Sequence, residues 1–243
     1  MARSTIDEPS MMPSSSNIKQ FSRLNRSKNC CLNFSLMNGS FMAFKWGLLI
    51  FHLKNRMIAV VGPKDRAKYK DWVGVNTTTS STNWSAKLSP MNLGPVILPD
   101  GSVAKNVENA WQFSKVYKQH VKDGEILPEY FEWALKGFND SWAHRYPMGR
   151  GAAPLFSLWK GKRLGYIDAR KEIYMPLYAE AVVKTDAFKQ LKALYETHGK
   201  LVLFDFDGYD YLGEGKTLED VVNDPKKKMG HAFVLALLLE NRL

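Results

Sequence analysis

Hydrophobic positions recur at helical spacing in several segments of the second half of the chain, whereas its first forty residues show little apolar periodicity. The spacing predicts helices over about 106–121, 128–138, 165–182, 186–197 and 229–242. A buried strand is predicted at LVLF (201–204), and a shorter one at VIL (96–98) before a Pro-Asp-Gly turn. The stretch VGVNTTTSSTNW (73–84) predicts no definite element. This balance, mainly helical with a few short strands, predicts an α+β fold.

The longest apolar run is FMAFKWGLLIFHL at 41–53, followed by Lys54-Asn55 and then RMIAVVG. A membrane-spanning helix needs about 18 or more nearly uncharged apolar residues, and Lys45, His52 and Lys54 interrupt this run. The pattern therefore predicts a hairpin or a strand pair laid against the domain. We expect no cleaved signal peptide, no membrane segment and a soluble, cytoplasmic protein.

Three regions follow from these patterns. Residues 1–40 are basic and Ser-rich, which favours a disordered extension; their composition also faintly resembles an organelle transit peptide. Residues 41–70 form an apolar junction, and 71–243 form the folded domain. The two cysteines, Cys30 and Cys31, are adjacent, so their spacing indicates neither a disulfide framework nor a metal site.

Net charge is concentrated at one end of the chain. The 243 residues include 34 Lys+Arg and 24 Asp+Glu, a formal charge of +10, and residues 1–70 hold 12 of these basic and 3 of these acidic residues. Since the remainder carries 22 and 21, the predicted domain is close to neutral. A broad basic field could bind nucleic acid, but here only the extension would supply it.

The phrase LVLFDFDG places Asp205 and Asp207 just beyond a hydrophobic strand. Haloacid-dehalogenase-type phosphatases place a nucleophilic and an acid/base aspartate in this way. They also need a long domain after the strand, and only 36 residues follow Asp207. A buried strand that ends in an acidic turn is the better interpretation.

A second feature is the predicted helix VENAWQFSKVYKQH, in which polar side chains share one stripe. The stripe contains Glu108, Gln112, Lys115 and Gln119, and Trp111 flanks it. Periodicity alone favours a solvated helix face. The aromatic neighbour leaves open a site in which Trp111 stacks on a ring.

In order and spacing, the motifs resemble the NADAR family, the YbiA-like N-glycosidases. LSPMNLGPVILPDGSVAKNVENAWQFSK (88–115) resembles the family phrase LSNFxPxPhxhDGxxxxxVEHAFQAAK, including the E-x-x-aromatic-Q-x-x-K spacing. Lys171 and Met175 resemble its K-x-x-x-M helix, and LGEG (212–215) its W-G-x-G. AEAVVKTDAFKQLKALYETHG and the closing MGHAFVLALLLENR resemble its last two segments. The resemblance covers roughly residues 88–242.

The chain departs from the family pattern at several positions. Pro90 stands where the family has Asn, and Asn109 stands where the family often has His. Leu212 replaces the Trp of W-G-x-G. Asp210 lies one place off the family's D-x-x-W-G spacing. Tyr209 or Tyr211 would have to supply the missing aromatic surface.

The resemblance implies hydrolysis of the bond between a ribose C1′ and a nitrogen, through a centre with oxocarbenium character. Glu108 would be the carboxylate near C1′, and Lys115 would donate a proton, bind phosphate or attack the opened sugar as an amine. Asp207 or Asp210 would hold ribose hydroxyls, with Trp111 and Gln112 beside the substrate. No cofactor and no metal is implied.

Basic residues in two loops are candidates for phosphate binding. RYPMGRG (145–151) contains Arg145 and Arg150 in a Gly/Pro-rich loop, a setting as compatible with phosphate binding as with a plain connection. For the Lys triplet at 226–228 a solvated helix entry is favoured, and for His231 a hydrogen-bonded core position.

The sequence thus predicts an N-glycosidase-like hydrolase of a phosphorylated ribosyl compound, either a nucleotide metabolite or an ADP-ribose adduct. One alternative is a non-catalytic module that binds ADP-ribose or nucleotides, and another is a nucleic-acid-binding protein that uses the basic extension. The most useful structural observation is whether Glu108, Lys115, Arg150 and Asp207 converge on one pocket; the proposed site is wrong if they lie on separate surfaces.

Overall fold

The computed structural model describes residues 56–243; the predicted extension and the first part of the predicted hairpin lie outside the described residues. The strands are β1 (Met57–Val61), β2 (Val73–Asn76), β3 (Val96–Ile97), β4 (Val103–Ala104), β5 (Lys115–Val116), β6 (Val121–Lys122), β7 (Glu125–Ile126), β8 (Phe156–Trp159), β9 (Lys162–Leu164) and β10 (Lys200–Phe204). The α-helices are α1 (Val107–Phe113), α2 (Pro128–Asn139), α3 (Tyr166–Ala169), α4 (Met175–Val182), α5 (Asp186–His198), α6 (Leu218–Asn223) and α7 (His231–Leu239). A π-helical turn (Arg170–Tyr174) joins α3 to α4, and 3-10 turns cover Trp84–Leu88 and Lys118–His120.

The largest sheets have three strands each, and one of them is entirely parallel, in the order β1-β10-β2. Its central strand β10 pairs with β1 from Met57↔Lys200 to Val61↔Phe204, and with β2 from Leu201↔Val73 to Phe204↔Asn76. Four consecutive residues of β10 are buried, as expected for a central parallel strand. The predicted strand at 201–204 is confirmed.

Helix α7 lies inside the domain. Seven consecutive residues from His231 to Leu237 are buried, so the helix is apolar on every side rather than along one stripe. It packs in the main core together with β1, β10 and α4. This core fixes the end of β10 next to the start of α7, where part of the site lies.

A second group of elements carries the remaining walls of the site. Strand β8 pairs antiparallel with both β5 and β9, and two-stranded hairpins form from β3-β4 and β6-β7. A smaller cluster of buried aromatic and aliphatic side chains packs α2 against the end of α1. The loop between α2 and β8 contains the predicted Gly/Pro-rich segment.

The predicted helix over 106–121 is too long. Helix α1 starts at the Asn106 cap, whose side chain accepts the Asn109 amide, and it ends at Phe113. Lys115 and Val116 instead pair with Phe156–Ser157 of β8. Tertiary strand pairing overrides helical periodicity here, and Gln119 does not continue the stripe of α1.

The other predicted helices are present in the structure. Helices near 128–138, 186–197 and 165–182 are present, the last interrupted by the π-helical turn, and the closing helix occupies His231–Leu239. The α+β class is confirmed. The apolar stretch Met57–Val61 pairs in parallel with β10, so the described domain includes residues before position 71. Among residues 56–243, no helix is both long and apolar enough to cross a membrane.

Candidate functional site

A cavity of about 640 Å³ opens between α1, the 145–156 loop, the end of β10 and the segment leading into α7. This volume is in the range of small-molecule sites. Six of the nine residues predicted for the site, counting catalytic and binding roles together, line it: Glu108, Trp111, Gln112, Lys115, Arg145 and Asp207.

A hydrogen-bonded chain of polar side chains runs along the cavity side of α1. The Gln112 amide nitrogen donates to Glu108 Oε1 at 2.9 Å, and Lys115 Nζ donates to Gln112 Oε1 at 2.7 Å. Glu108 and Gln112 are both buried, although their pattern is typical of a solvated face. Gln112 therefore fixes an acid and an amine on one wall.

Burial shifts the pKa of both ends of this chain towards the neutral range. It raises the pKa of Glu108, against the hydrogen bond from Gln112 and the charge of Lys115. It also lowers the pKa of Lys115 to about 8, with Glu108 opposing the shift. Each shift brings the acid and the amine closer in pKa, which favours proton transfer at this wall.

The indole of Trp111 already has aromatic and cationic neighbours. Lys115 Nζ lies over the ring, 4.4 Å from its centre, and the Tyr174 ring centre is 5.3 Å away. Burial and the nearby Glu108 carboxylate keep the pKa of Tyr174 well above its ordinary value, so its hydroxyl retains a proton. The face of the Trp111 indole is therefore in contact with the Lys115 ammonium group.

Asp207 forms an ion pair with Arg145, whose Nη2 donates to Asp207 Oδ2 at 2.7 Å. Both side chains are about 30% exposed, so a ligand in the cavity can reach them. The pair joins the loop after α2 to the turn after β10. It also fixes the direction of the guanidinium at the cavity mouth.

Asp205 and His231 form a buried pair in the cavity wall. His231 Nδ1 lies 2.9 Å from Asp205 Oδ2, and His231 Nε2 lies 2.8 Å from the Thr77 carbonyl oxygen. Since both ring nitrogens face oxygen acceptors, the geometry favours the doubly protonated, charged imidazole. The Asp205 carboxylate also accepts the backbone N–H groups of Asp207 and Ala232.

The pKa values of this pair follow from its geometry. Burial alone would raise the pKa of Asp205, but the charge and hydrogen bond of His231 and two backbone amides lower it to about 2. Burial alone would lower the pKa of His231, and the Asp205 carboxylate outweighs that effect and raises it. With its oxygens held by these donors, Asp205 is placed to organise the end of β10.

The Lys triplet lies on the cavity wall, where all three residues are found. Arg170, almost fully buried, orients this segment because its Nη2 donates to the Lys227 carbonyl at 2.9 Å. Its Nη1 donates to the carbonyls of Val221 and Val222 at the end of α6. Lys226 and Lys228 are exposed just before α7, as predicted for a solvated helix entry, and the triplet also borders the cavity.

Three predicted residues do not line the cavity. Asp210 accepts hydrogen bonds from Tyr69, Lys68 and the Gly213 amide. Tyr209 packs on Phe233, and Lys227 lies 4.1 Å from its ring centre. Arg150 lies over the Tyr146 ring at 5.7 Å, outside the wall formed by its glycine neighbours.

Two positions that depart from the resembled pattern also differ in location. Pro90 lines the cavity. Asn109 faces away from it: its amide nitrogen donates to the Asp140 and Trp142 carbonyls, and its oxygen accepts the His144 amide. Asn109 thus anchors the loop that carries Arg145.

Sequence reasoning missed several lining residues. The phenol of Tyr146 and the phenyl ring of Phe206 are among them, as are Thr78 and Thr79 after β2. Among these missed residues, Phe206 could have been found from the sequence, because it lies between Asp205 and Asp207 at the end of a predicted strand. No three His, Cys, Asp or Glu side chains within residues 56–243 gather in an arrangement suited to a metal ion.

Comparison with known proteins identifies a family. Residues 64–235 match the model of DUF6939, a family of unknown function. The chain belongs to this family. No curated protein and no solved structure matches the chain. All the cavity-lining residues lie between positions 78 and 231, so the DUF6939 region contains the entire cavity wall.

Proposed function

We propose that the protein is an N-glycosidase-like hydrolase that cleaves the ribose C1′–N bond of a phosphorylated ribosyl compound. The observation that carries this proposal is the placement of Glu108 and Lys115 on one cavity wall, joined through Gln112. The resemblance to the NADAR family supports the same reaction class. A buried acid and a partly buried amine are the two proton-transfer groups that this reaction needs.

Glu108 acts on the attacking water and on the sugar. Its carboxylate lies next to C1′, where it stabilises positive charge on the sugar and accepts a proton from the attacking water. Its raised pKa makes it a stronger base than an exposed glutamate. The new C1′–O bond forms as the C1′–N bond breaks.

Lys115 acts on the leaving-group side. With a pKa of about 8, a large part of its population is protonated at neutral pH, and the proton is given up readily. The ammonium donates this proton to the departing nitrogen, which leaves as a neutral base. The protons and electrons of the hydrolysis balance, with water as the only other reactant.

The basic part of the wall binds the phosphate. Arg145, Lys226 and Lys228 line the cavity, and Arg170 fixes the backbone of the Lys segment. Asp207, held by Arg145, is placed to accept ribose hydroxyls. Although the domain is nearly neutral overall, these few cations would thus recognise the phosphate of the substrate.

The test is product analysis by mass spectrometry with ribosyl-pyrimidine phosphates, nucleoside 5′-monophosphates and ADP-ribose adducts. We expect a free base and a phosphorylated ribose from the wild type, and a loss of at least about a hundredfold in kcat for Glu108→Gln. Glu129→Gln, an exposed glutamate on α2, is the matched control.

Two outcomes would count against the proposal. If Glu108→Gln retains full turnover while remaining folded, the role of Glu108 is wrong. Saturable binding of ADP-ribose or nucleotides with no product over hours would favour the non-catalytic module on the same cavity.

A further inference from the structure

The two aromatic side chains expected to stack on the substrate are already engaged. Lys115 lies against the face of Trp111, and Tyr174 packs beside it. Tyr209 is outside the cavity wall, between Lys227 and Phe233. A base entering the cavity must therefore find its aromatic partner elsewhere.

Two other rings are exposed at the cavity mouth. Phe206 is 47% exposed and Tyr146 is 38% exposed, and both line the cavity. The guanidinium carbon of Arg145 is 5.9 Å from the Phe206 ring centre and 5.4 Å from that of Tyr146. Both rings thus lie within about 6 Å of one guanidinium group, which the Asp207 carboxylate holds in place.

Cations gather around the same rings. Lys228 Nζ is 5.4 Å from the Tyr146 ring centre, and the Arg150 guanidinium carbon is 5.7 Å from it. Exposed aromatic rings interleaved with basic groups bind bases by stacking and the attached phosphate by charge. Large apolar side chains left in water at the edge of a cavity are also typical of ligand sites.

We propose that Tyr146 and Phe206, which share the Arg145 guanidinium as a neighbour, form a stacking subsite for the planar heterocyclic base of the substrate. The placement of the ribose beside Glu108 rests on the proposed function; the stacking subsite itself rests on the exposed rings. Its ligand class is a nucleobase or a related flat heterocycle attached to a ribose phosphate.

The test compares two kinds of ligand that differ only in the base. Calorimetry of the full-length protein measures binding of the four common nucleoside 5′-monophosphates and of ribose 5-phosphate. For Phe206→Leu and Tyr146→Leu, we expect nucleotide affinity to fall about 5-fold to 100-fold. Affinity for ribose 5-phosphate should stay within about twofold.

Trp142→Leu is the matched control, because Trp142 is 74% exposed and does not line the cavity. It should leave both affinities unchanged. The proposal is overturned if the wild type binds no nucleotide more tightly than ribose 5-phosphate. Equal losses for both ligands in the ring variants, or no loss for either, would also overturn it.

This test separates the subsite from the proposed reaction. Base-dependent binding through Phe206 and Tyr146 without any product would uphold the subsite and defeat the glycosidase. Turnover that requires Glu108 but is unchanged in Phe206→Leu and Tyr146→Leu would support the glycosidase and contradict the subsite.

Discussion

The buried Asp205–His231 pair is expected to be a main determinant of stability at the end of β10. The perturbation is Asp205→Asn, which keeps the shape of the side chain and removes its charge. It removes the carboxylate that pairs with the buried imidazole and weakens acceptance of the Ala232 and Asp207 amides. Breaking a buried ion pair by removing one partner costs about 3–5 kcal/mol. In a domain of this size, that lowers Tm by about 6–20 °C.

The assay is thermal and urea unfolding of the wild type, of Asp205→Asn, of His231→Gln and of the double variant. Because the two groups act as a unit, the double variant should lose less than the sum of the single losses. Asp186→Asn is the control: it removes an exposed carboxylate paired with Lys189, and its Tm should stay near that of the wild type.

The pH dependence has a definite sign. The depressed pKa of Asp205 gives stability that is complete above 3.8 and is lost as the pH falls towards about 2. The raised pKa of His231 gives stability that is complete below 6.5 and is lost as the pH rises through its higher folded value. The difference between wild type and Asp205→Asn should therefore be largest between about pH 4 and 6.5.

One result would refute this reasoning directly. If Asp205→Asn lowers Tm no more than Asp186→Asn across that pH range, the pair is not a stabilising ion pair. Additive losses in the double variant would show that the two side chains act independently.

Two further predictions concern the cavity wall. The Lys115 pKa, measured by NMR after isotopic methylation of lysines, should be about 8. Glu108→Gln should lower this pKa, because the Glu108 charge raises it. A value near 10.5 in the wild type, or an upward shift in the variant, would contradict this account of Lys115. Arg170→Lys cannot satisfy the carbonyls of Val221, Val222 and Lys227 together, so it should destabilise the domain by roughly 2 kcal/mol or more in urea unfolding. Exposed Lys171→Arg is its control, and equal stability of the two variants would show that Arg170 does not anchor the Lys segment.

Local patterns were sufficient where an element depends on its own residues. Helix α5 begins at the Thr185 cap, presents an amphipathic face and ends at Gly199 in a left-handed conformation. The run LVLF is apolar enough to specify the buried strand β10. Both were predictable because their own residues mark where each element lies, although β10 pairs with distant strands.

Distant pairing explains the errors in the secondary structure. Lys115 and Val116 leave the helical pattern because β8 pairs with them from forty residues away. Met57–Val61 becomes a parallel neighbour of β10, about 140 residues further along the chain. Periodicity within a short window carries no information about either partner.

The site was predictable to the extent that it lies on α1. Spacing along that helix brings Glu108 and Gln112 to one wall, Lys115 reaches the same wall from β5 just after the helix, and a loop pattern singled out Arg145. Asp210 could not be placed, because Tyr69 and Lys68, from the segment between β1 and β2, hold it away from the cavity. The Lys triplet depends on the buried anchor Arg170, which no local pattern links to it.

The most direct test of the central claim is the identity of the bond that is cleaved. Wild-type protein incubated with ribosyl phosphates should release the free base and ribose 5-phosphate in equal amounts, detected by mass spectrometry, and Glu108→Gln should release neither. Release of inorganic phosphate with the base still attached to the ribose, or equal product from both proteins, would contradict the account.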